Sequence, residues 1–131
     1  MAKKKEEKGV CSMISYLSLK LIKNGNEILK IDNLSYKIKK NIIEFFYDNV
    51  TYMVKISNIN SFFVREGNEF KFVLDMMNNK CFYKLKETNT LLEIKVLKSE
   101  SLIKDNNFLI EYELETEEGL NKVEFRFYKG E

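Results

Sequence analysis

The chain has 131 residues, a formal net charge of +2, and no His, Trp or Pro. That length predicts one domain with a sizeable core, and the small net charge does not by itself indicate a nucleic-acid or membrane partner. Without His the chain lacks Ser-His-Asp and Cys-His catalytic groups and His-ligated zinc, and its five scattered Gly exclude a Gly-rich nucleotide-binding loop. We therefore expect no enzyme, no cofactor and no metal ion.

Residues 1–9 are predicted to form a charged flexible tail, and residues 10–131 a single β-barrel domain. The tail carries Lys-Lys-Lys-Glu-Glu-Lys at positions 3–8, a mixture typical of a solvated terminus. It has no apolar region of the kind a secretory signal needs, and no run approaches the roughly 18 apolar residues of a membrane-spanning helix. Two cysteines, Cys11 and Cys81, without such a signal suit a reducing compartment, so we expect a soluble cytoplasmic protein.

From residue 10 onward, apolar and polar side chains alternate with a period of two, which predicts β-strands. In chain order the predicted strands are 17–22, 34–39, 42–47, 51–56, 61–66, 70–75, 80–86, 91–97, 101–104, 108–115 and 122–127. Asn, Asp and Gly clusters separate them, and the connections are too short for crossover helices. These segments make roughly nine to eleven short strands, and their spacing favours an all-β, small antiparallel barrel of roughly eight to ten strands over an open sandwich.

The interior of this barrel is predicted to be filled by large side chains. The positions expected to point inward are Leu17, Leu19, Leu21, Tyr36, Tyr52, Val54, Phe70, Phe72, Leu92, Ile94, Tyr112, Phe125 and Phe127. No predicted strand contains Ala, which would open a lumen. A filled core is therefore the ordinary interpretation, and a partial pocket at one mouth of the barrel is the alternative.

Between residues 16 and 128, the order of strands and turns resembles the YwiB-like family of bacterial proteins. The stretches that carry the resemblance are 51–56 with 63–67, 70–74 with 81–85, and the carboxy-terminal hairpin that begins at 109–114. They include an Arg-x-Gly at Arg65 and a Tyr at Tyr83 on the second strand of the central hairpin. The resemblance implies a small barrel related to the calycins, the lipocalin type, and it implies no activity.

Arg65 is the most informative single residue, because the chain otherwise uses Lys and contains just one other Arg, Arg126. Its direction depends on the strand register, since apolar residues precede it on both faces. If it points inward it needs a partner, because an unpaired buried charge is costly. That partner is either an acid, namely Glu44, Glu69 or Glu111, or the carboxylate or phosphate of a ligand.

Four tyrosines, Tyr47, Tyr52, Tyr83 and Tyr112, are the other candidate ligand-binding residues, because their hydroxyls could orient a polar ligand at the mouth. Tyr is also common in half-buried strands, which is the ordinary interpretation of each. Cys81 is expected to be a packed residue with an inert thiol.

The preferred function is binding of a small molecule or a protein partner at the barrel mouth. The alternative is a nucleic-acid-binding barrel that uses outward lysines and an aromatic residue, namely Lys71, Lys84, Lys86 and Lys95 near Phe82. Interleaved acids, Asp75, Glu87 and Glu93, count against nucleic acid. Self-association is a further expectation, since Phe62, Phe63, Phe82 and Leu97 cannot all lie inside.

Overall fold

The computed structural model describes residues 15–55, 57, 61–116 and 118–129. These residues form eleven strands: β1 (Ser15–Lys23), β2 (Asn26–Leu34), β3 (Lys37–Lys39), β4 (Ile42–Tyr47), β5 (Val50–Lys55), β6 (Phe62–Glu66), β7 (Phe70–Asp75), β8 (Lys80–Leu85), β9 (Thr90–Lys104), β10 (Asn107–Leu114) and β11 (Asn121–Lys129). The predicted tail at 1–9, Cys11 and the turn at 58–60 lie outside the described residues. Within the described part, no helix is long and apolar enough to cross a membrane.

All eleven strands belong to one sheet, in the order β2-β1-β11-β10-β9-β8-β7-β6-β5-β4-β3. Every pairing is antiparallel, and the sheet curls into a half-barrel. The edge strands β2 and β3 are consecutive in the chain and are separated by Ser35 and Tyr36, but the described ladder does not pair them. The all-β antiparallel prediction is confirmed, whereas the predicted count of eight to ten strands is too low.

Strand β2 was not predicted before Leu34, and two further errors in the predicted strands have physical causes. The segment 34–39 is not one strand, because β2 ends at Leu34 and β3 begins at Lys37 on the opposite edge of the sheet. The segments 91–97 and 101–104 are instead one strand, β9. The polar residues 98–101 in its middle resemble a turn between two strands in the sequence. Thr90–Lys95 pair with β8, Val96–Lys104 pair with β10, and the register shifts between Val96 and Lys98. Such a bulge bends the strand, so β9 serves both halves of the curled sheet.

Aromatic side chains from the two halves of the sheet meet in the core. The ring of Phe125 on β11 lies 6.1 Å from the rings of Phe45 and Phe63 and 6.0 Å from that of Phe108. These four side chains are almost completely buried. Each fully buried apolar side chain of this size stabilises the fold by roughly 1.5–3 kcal/mol, so the core holds the half-barrel together without a ligand.

Most of the predicted inward positions lie inside. The buried ones are Leu17, Leu19, Leu21, Tyr52, Val54, Phe72, Tyr112 and Phe125, and the half-buried ones are Tyr36, Phe70, Ile94 and Phe127. Leu92 has the predicted inward direction but is not buried, since its side chain is 47% exposed. It lies on the inner face of β9 near the β8–β9 turn, two residues from the last pair of that ladder, Thr90 with Leu85.

Asparagine and aspartate supply the tight turns of this fold. Among the described residues, nine other than Gly have positive φ, and all of them except Lys40 are Asn or Asp. Three hairpins turn on consecutive positive-φ pairs: β1–β2 on Asn24 with Gly25, β3–β4 on Lys40 with Asn41, and β4–β5 on Asp48 with Asn49. That geometry is typical of a type I′ turn, in which Asn and Asp tolerate the left-handed region better than other side chains do.

Candidate binding site

One cross-strand row of inward side chains contains the candidate site. Its members are directly opposite one another on six successive strands, in the order Phe45, Tyr52, Arg65, Phe72, Tyr83 and Leu92. The next row toward the core, which runs from Ile43 through Phe63 to Ile94, is entirely apolar. Because Phe63 is buried and lies two residues before Arg65 on β6, the period of two directs Arg65 inward.

Two stacked aromatic pairs flank the guanidinium of Arg65. Its Cζ lies 5.7 Å from the centroid of Tyr52 and 5.9 Å from that of Phe70. Tyr52 stacks on Phe45 with centroids 4.8 Å apart, and Phe70 stacks on Tyr83 at 5.9 Å. Each cation–π contact contributes about 0.5–1 kcal/mol at an exposed site and more when desolvated.

The glycine of the Arg-x-Gly motif keeps Phe70 close to Arg65. Gly67 donates its backbone N–H to the carbonyl of Phe70 at 3.0 Å, and a Cβ at Gly67 would lie 2.9 Å from Cε1 of the Phe70 ring. No real side chain tolerates that distance without a shift of the ring. Gly67 therefore permits the aromatic contact that positions the arginine.

No carboxylate of the described residues pairs with Arg65, and its Nε is buried without a hydrogen-bond partner. Of the three acids expected as partners, Glu44 and Glu69 are exposed, and Glu111 lies 3.5 Å from Lys122 instead. Glu44 and Glu111 alternate with the inward residues Phe45 and Tyr112, so their strands turn them to the outer face. The structural ion pair considered from the sequence is thus not formed by any of these acids.

A cavity of about 240 Å³ adjoins Arg65 at one end of the half-barrel, and we call it the Arg65 cavity. It lies between the β6–β9 half of the sheet, which contributes Phe72 and Tyr83, and the β1, β10 and β11 half, which contributes Tyr112 and Asn121. Its rim includes the ends of the β1–β2 and β10–β11 hairpins, which are joined where Asn24 N donates to Leu120 O at 2.8 Å.

The charges lining the Arg65 cavity are of one sign. Among the described residues the lining includes Lys23, Arg65 and Lys122, and it includes no carboxylate side chain. Lys122 already has Glu111 as a partner on the outer face, so Arg65 is the cation that adds uncompensated positive charge to the interior. This electrostatic arrangement favours an anion.

The structure brings three of the four candidate tyrosines toward Arg65. Tyr83 and Tyr112 line the cavity, and Tyr52 is buried beneath the guanidinium without lining the cavity itself. Tyr47 lies apart, because it ends β4 opposite Val50 and its side chain is exposed. The sequence interpretation missed Asn121, a buried amide whose Nδ2 donates to the carbonyl of Tyr112 at 3.4 Å. Only the curvature of the sheet brings that residue near Arg65, so no local sequence signal indicates it.

At least four depressions on the described residues are larger than the Arg65 cavity, and none of these contains a comparable unpaired group, as two of them illustrate. One, of about 450 Å³, includes Ser61 and Ser101, but the Ser61 hydroxyl donates to Ser57 O at 2.6 Å and lies 3.2 Å from the Ser101 hydroxyl. The other, of about 550 Å³ near the sheet edges, contains both Lys37 and Glu44. No group of three or more His, Cys, Asp or Glu in the described chain is arranged to hold a metal ion.

The lysines considered for nucleic-acid binding lie on the outer face among acids. Lys71 stands opposite Lys84 on one side of half-buried Phe82, while Glu93 stands directly opposite Phe82. Lys86 donates to Glu66 at 2.7 Å, and this hydrogen bond holds the pKa of Glu66 below its ordinary value of 4.5. This surface therefore carries both signs of charge.

The apolar residues considered for self-association are divided between the two faces. Phe63 is buried in the core, Phe62 and Phe82 are half-buried on the outer face, and Leu97 is 55% exposed at the β9 bulge. They do not form one outer row, because Phe62 and Phe82 belong to different cross-strand rows.

Fold and site together define a class: an all-β protein built on one curled antiparallel sheet, with an arginine in a cavity at its open end. The crystal structure of the YwiB protein from Bacillus subtilis matches this chain with a TM-score of 0.52 at 17% identity, over 91% of this chain and 92% of that chain. No protein-family model matches the sequence, and no curated protein matches it either. The structural match confirms the resemblance to YwiB at the level of the fold.

Proposed function

We propose that this protein is a cytoplasmic, lipocalin-like barrel that binds a small anionic molecule in the Arg65 cavity. The observation that supports this proposal is the buried, unpartnered Nε of Arg65 beside a cavity whose described lining has no carboxylate. We propose binding rather than catalysis, because the described lining contains no carboxylate and no His that could act as a general base.

An anion would supply the hydrogen-bond acceptor that Nε of Arg65 lacks in the described part of the protein. A buried polar donor without an acceptor costs about 1–3 kcal/mol, and more when it carries charge. A ligand carboxylate accepts two parallel hydrogen bonds from a guanidinium, which is the strongest contact available to arginine. Binding in which Nε reaches the anion would recover a cost that the free protein bears, and this would favour anions over neutral ligands.

The neighbouring residues have distinct roles in this proposal. Tyr52 and Phe70 hold the guanidinium in place through their ring faces. Tyr83, Tyr112 and Asn121 surround the ligand and exclude water from it. Exclusion of water strengthens the contact between the guanidinium and the anion, because charges interact more strongly at low dielectric constant.

Isothermal titration calorimetry with a panel of small carboxylates and inorganic phosphate tests the proposal. Wild-type protein should bind at least one member of the panel, and Arg65→Met should lose that binding. Arg126→Met is the matched control, because Arg126 is exposed on β11 opposite Ser18 and Asn107. The control should bind as the wild type does.

Two results would overturn the proposal. One is the absence of binding to any anion by folded wild-type protein. The other is binding that Arg65→Met retains in full, which would place the anion elsewhere. Arg65→Lys separates charge from geometry: it keeps the cation but loses the bidentate fork, so it should bind more weakly than wild type.

A further inference from the structure

The dimensions and walls of the Arg65 cavity restrict the ligand further than its charge does. We infer that the ligand is a small monocarboxylate that carries one aromatic ring, of the size of benzoate or phenylacetate. This inference rests on the proposed function, since it assumes that the anion is held by Arg65.

The charge balance indicates a single negative charge. Lys122 is compensated by Glu111, and Lys23 has an interaction of its own. Arg65 is then the one lining cation whose side chain has no hydrogen-bond or ion-pair partner in the described part of the protein. A monocarboxylate neutralises that charge, whereas a phosphate dianion would bring a second charge into a cavity with aromatic walls.

The volume sets the size of the ligand. An apolar cavity of about 150 Å³ is large enough to bind benzene, and a water molecule occupies about 30 Å³ of liquid. The Arg65 cavity, at about 240 Å³, therefore has room for one ring, a carboxylate and a short linker between them. It falls below the roughly 300–1,000 Å³ of pockets for larger ligands, so we expect it to exclude a long-chain fatty acid or a nucleotide.

The walls favour a flat ring. Phe72 and Tyr83 stand side by side on β7 and β8, and Tyr112 faces them from β10 with its ring 6.0 Å from that of Phe72. Offset-stacked and edge-to-face aromatic contacts are worth more than the burial of their area alone. If the ring of the ligand contacts these side chains, its carboxylate lies near Arg65. Arg65 is the charged residue in that row of inward side chains.

Calorimetric competition among five probes tests the inference. Acetate supplies the charge alone, 2-phenylethanol supplies the ring alone, and phenylacetate supplies both; laurate and inorganic phosphate represent a long chain and a different anion. Phenylacetate should bind at least 30-fold more tightly than each of the other four, and Arg65→Met should abolish its binding. Ile94→Phe, which places a ring in the lining, should weaken phenylacetate at least tenfold more than it weakens acetate.

The failures of the two proposals can be distinguished. If laurate, phosphate or acetate binds as tightly as phenylacetate, and Arg65→Met abolishes that binding, the ligand class is wrong and the anion site stands. If none of the five probes binds, or if Arg65→Met binds them all as before, both proposals fail. Because a core substitution can unfold the protein, Ile94→Phe is interpreted only with an unchanged unfolding transition. Direct competition between phenylacetate and laurate on wild-type protein decides the ligand class without that variant.

Discussion

Replacement of Arg65 by methionine should stabilise the ligand-free protein. Methionine keeps much of the apolar stem and removes the buried Nε that has no partner among the described residues. Relief of that unsatisfied charged donor is worth about 2 kcal/mol, and loss of contacts with two rings costs about 1 kcal/mol. The net expectation is a free energy of unfolding about 1 kcal/mol higher than that of wild type.

Chemical denaturation of wild type, Arg65→Met and the control Arg126→Met measures this difference. A gain of about 1 kcal/mol raises the melting temperature by roughly 2–6 °C in a domain of this size. The competing explanation, a structural ion pair of Arg65, predicts a loss of about 3–5 kcal/mol when the arginine is removed. A loss of that size would refute the account of an arginine without a protein partner.

Three further predictions concern other features of the fold. Gly67→Ala should destabilise the protein by about 1–3 kcal/mol in denaturant unfolding, because its Cβ would displace the Phe70 ring; an unchanged midpoint contradicts the proposed packing. Lys40→Asn should raise the free energy of unfolding by about 0.5–1 kcal/mol, since Asn is better suited to a φ of 54°, and a loss of stability would contradict this. Because the pKa of Glu66 is lowered by its bond to Lys86, the pair contributes stability above pH 4.5 that is lost as the pH falls below that value. Stability measured between pH 3 and 6 should show a smaller acid-dependent loss in Lys86→Met, with a coupling energy under about 1 kcal/mol because the pair is partly exposed; equal pH profiles would contradict it.

The period of two identified most strands of this protein because most strands have one dry and one wet face. Leu17, Leu19 and Leu21 alternate with half-buried residues on β1, and such strands could be located from the sequence. The method failed at β9, where a strand leaves one half of the sheet for the other. Polar residues around Ser99 follow the bulge in β9. The alternation of apolar and polar residues does not distinguish a strand that bends from a strand that ends.

The direction of Arg65 could not be predicted for a similar reason. On β6, Phe63 and Val64 are both buried although they point to opposite faces, so apolar character did not identify the inner one. The pairing of Val54 with Phe63 and of Tyr52 with Arg65 resolves the ambiguity, and that pairing depends on residues distant in the chain. The sequence could indicate Arg65 as unusual, but its lack of an acid partner is a property of the assembled sheet.

The scarcity of glycine and arginine in this chain has structural consequences. Asparagine occupies many of the left-handed turn positions for which glycine is the usual choice, so a chain with five Gly can still form its tight hairpins. Because nearly all basic residues of the chain are lysines, Arg65 and Arg126 are its two arginines and can be compared directly. Arg65 is inward and lines the Arg65 cavity, whereas Arg126 is exposed on the outer face, where it lines a separate depression.

The most direct test of the central claim is the NMR signal of the arginine Nε–H groups during a titration with phenylacetate. The chain has two such groups, so the signals can be assigned with one substitution each. Our account predicts that the Arg65 signal shifts downfield and saturates as its Nε–H gains an acceptor, while the Arg126 signal stays unchanged. An Arg65 signal that does not respond, or that is already strongly hydrogen-bonded in the ligand-free protein, would contradict the account.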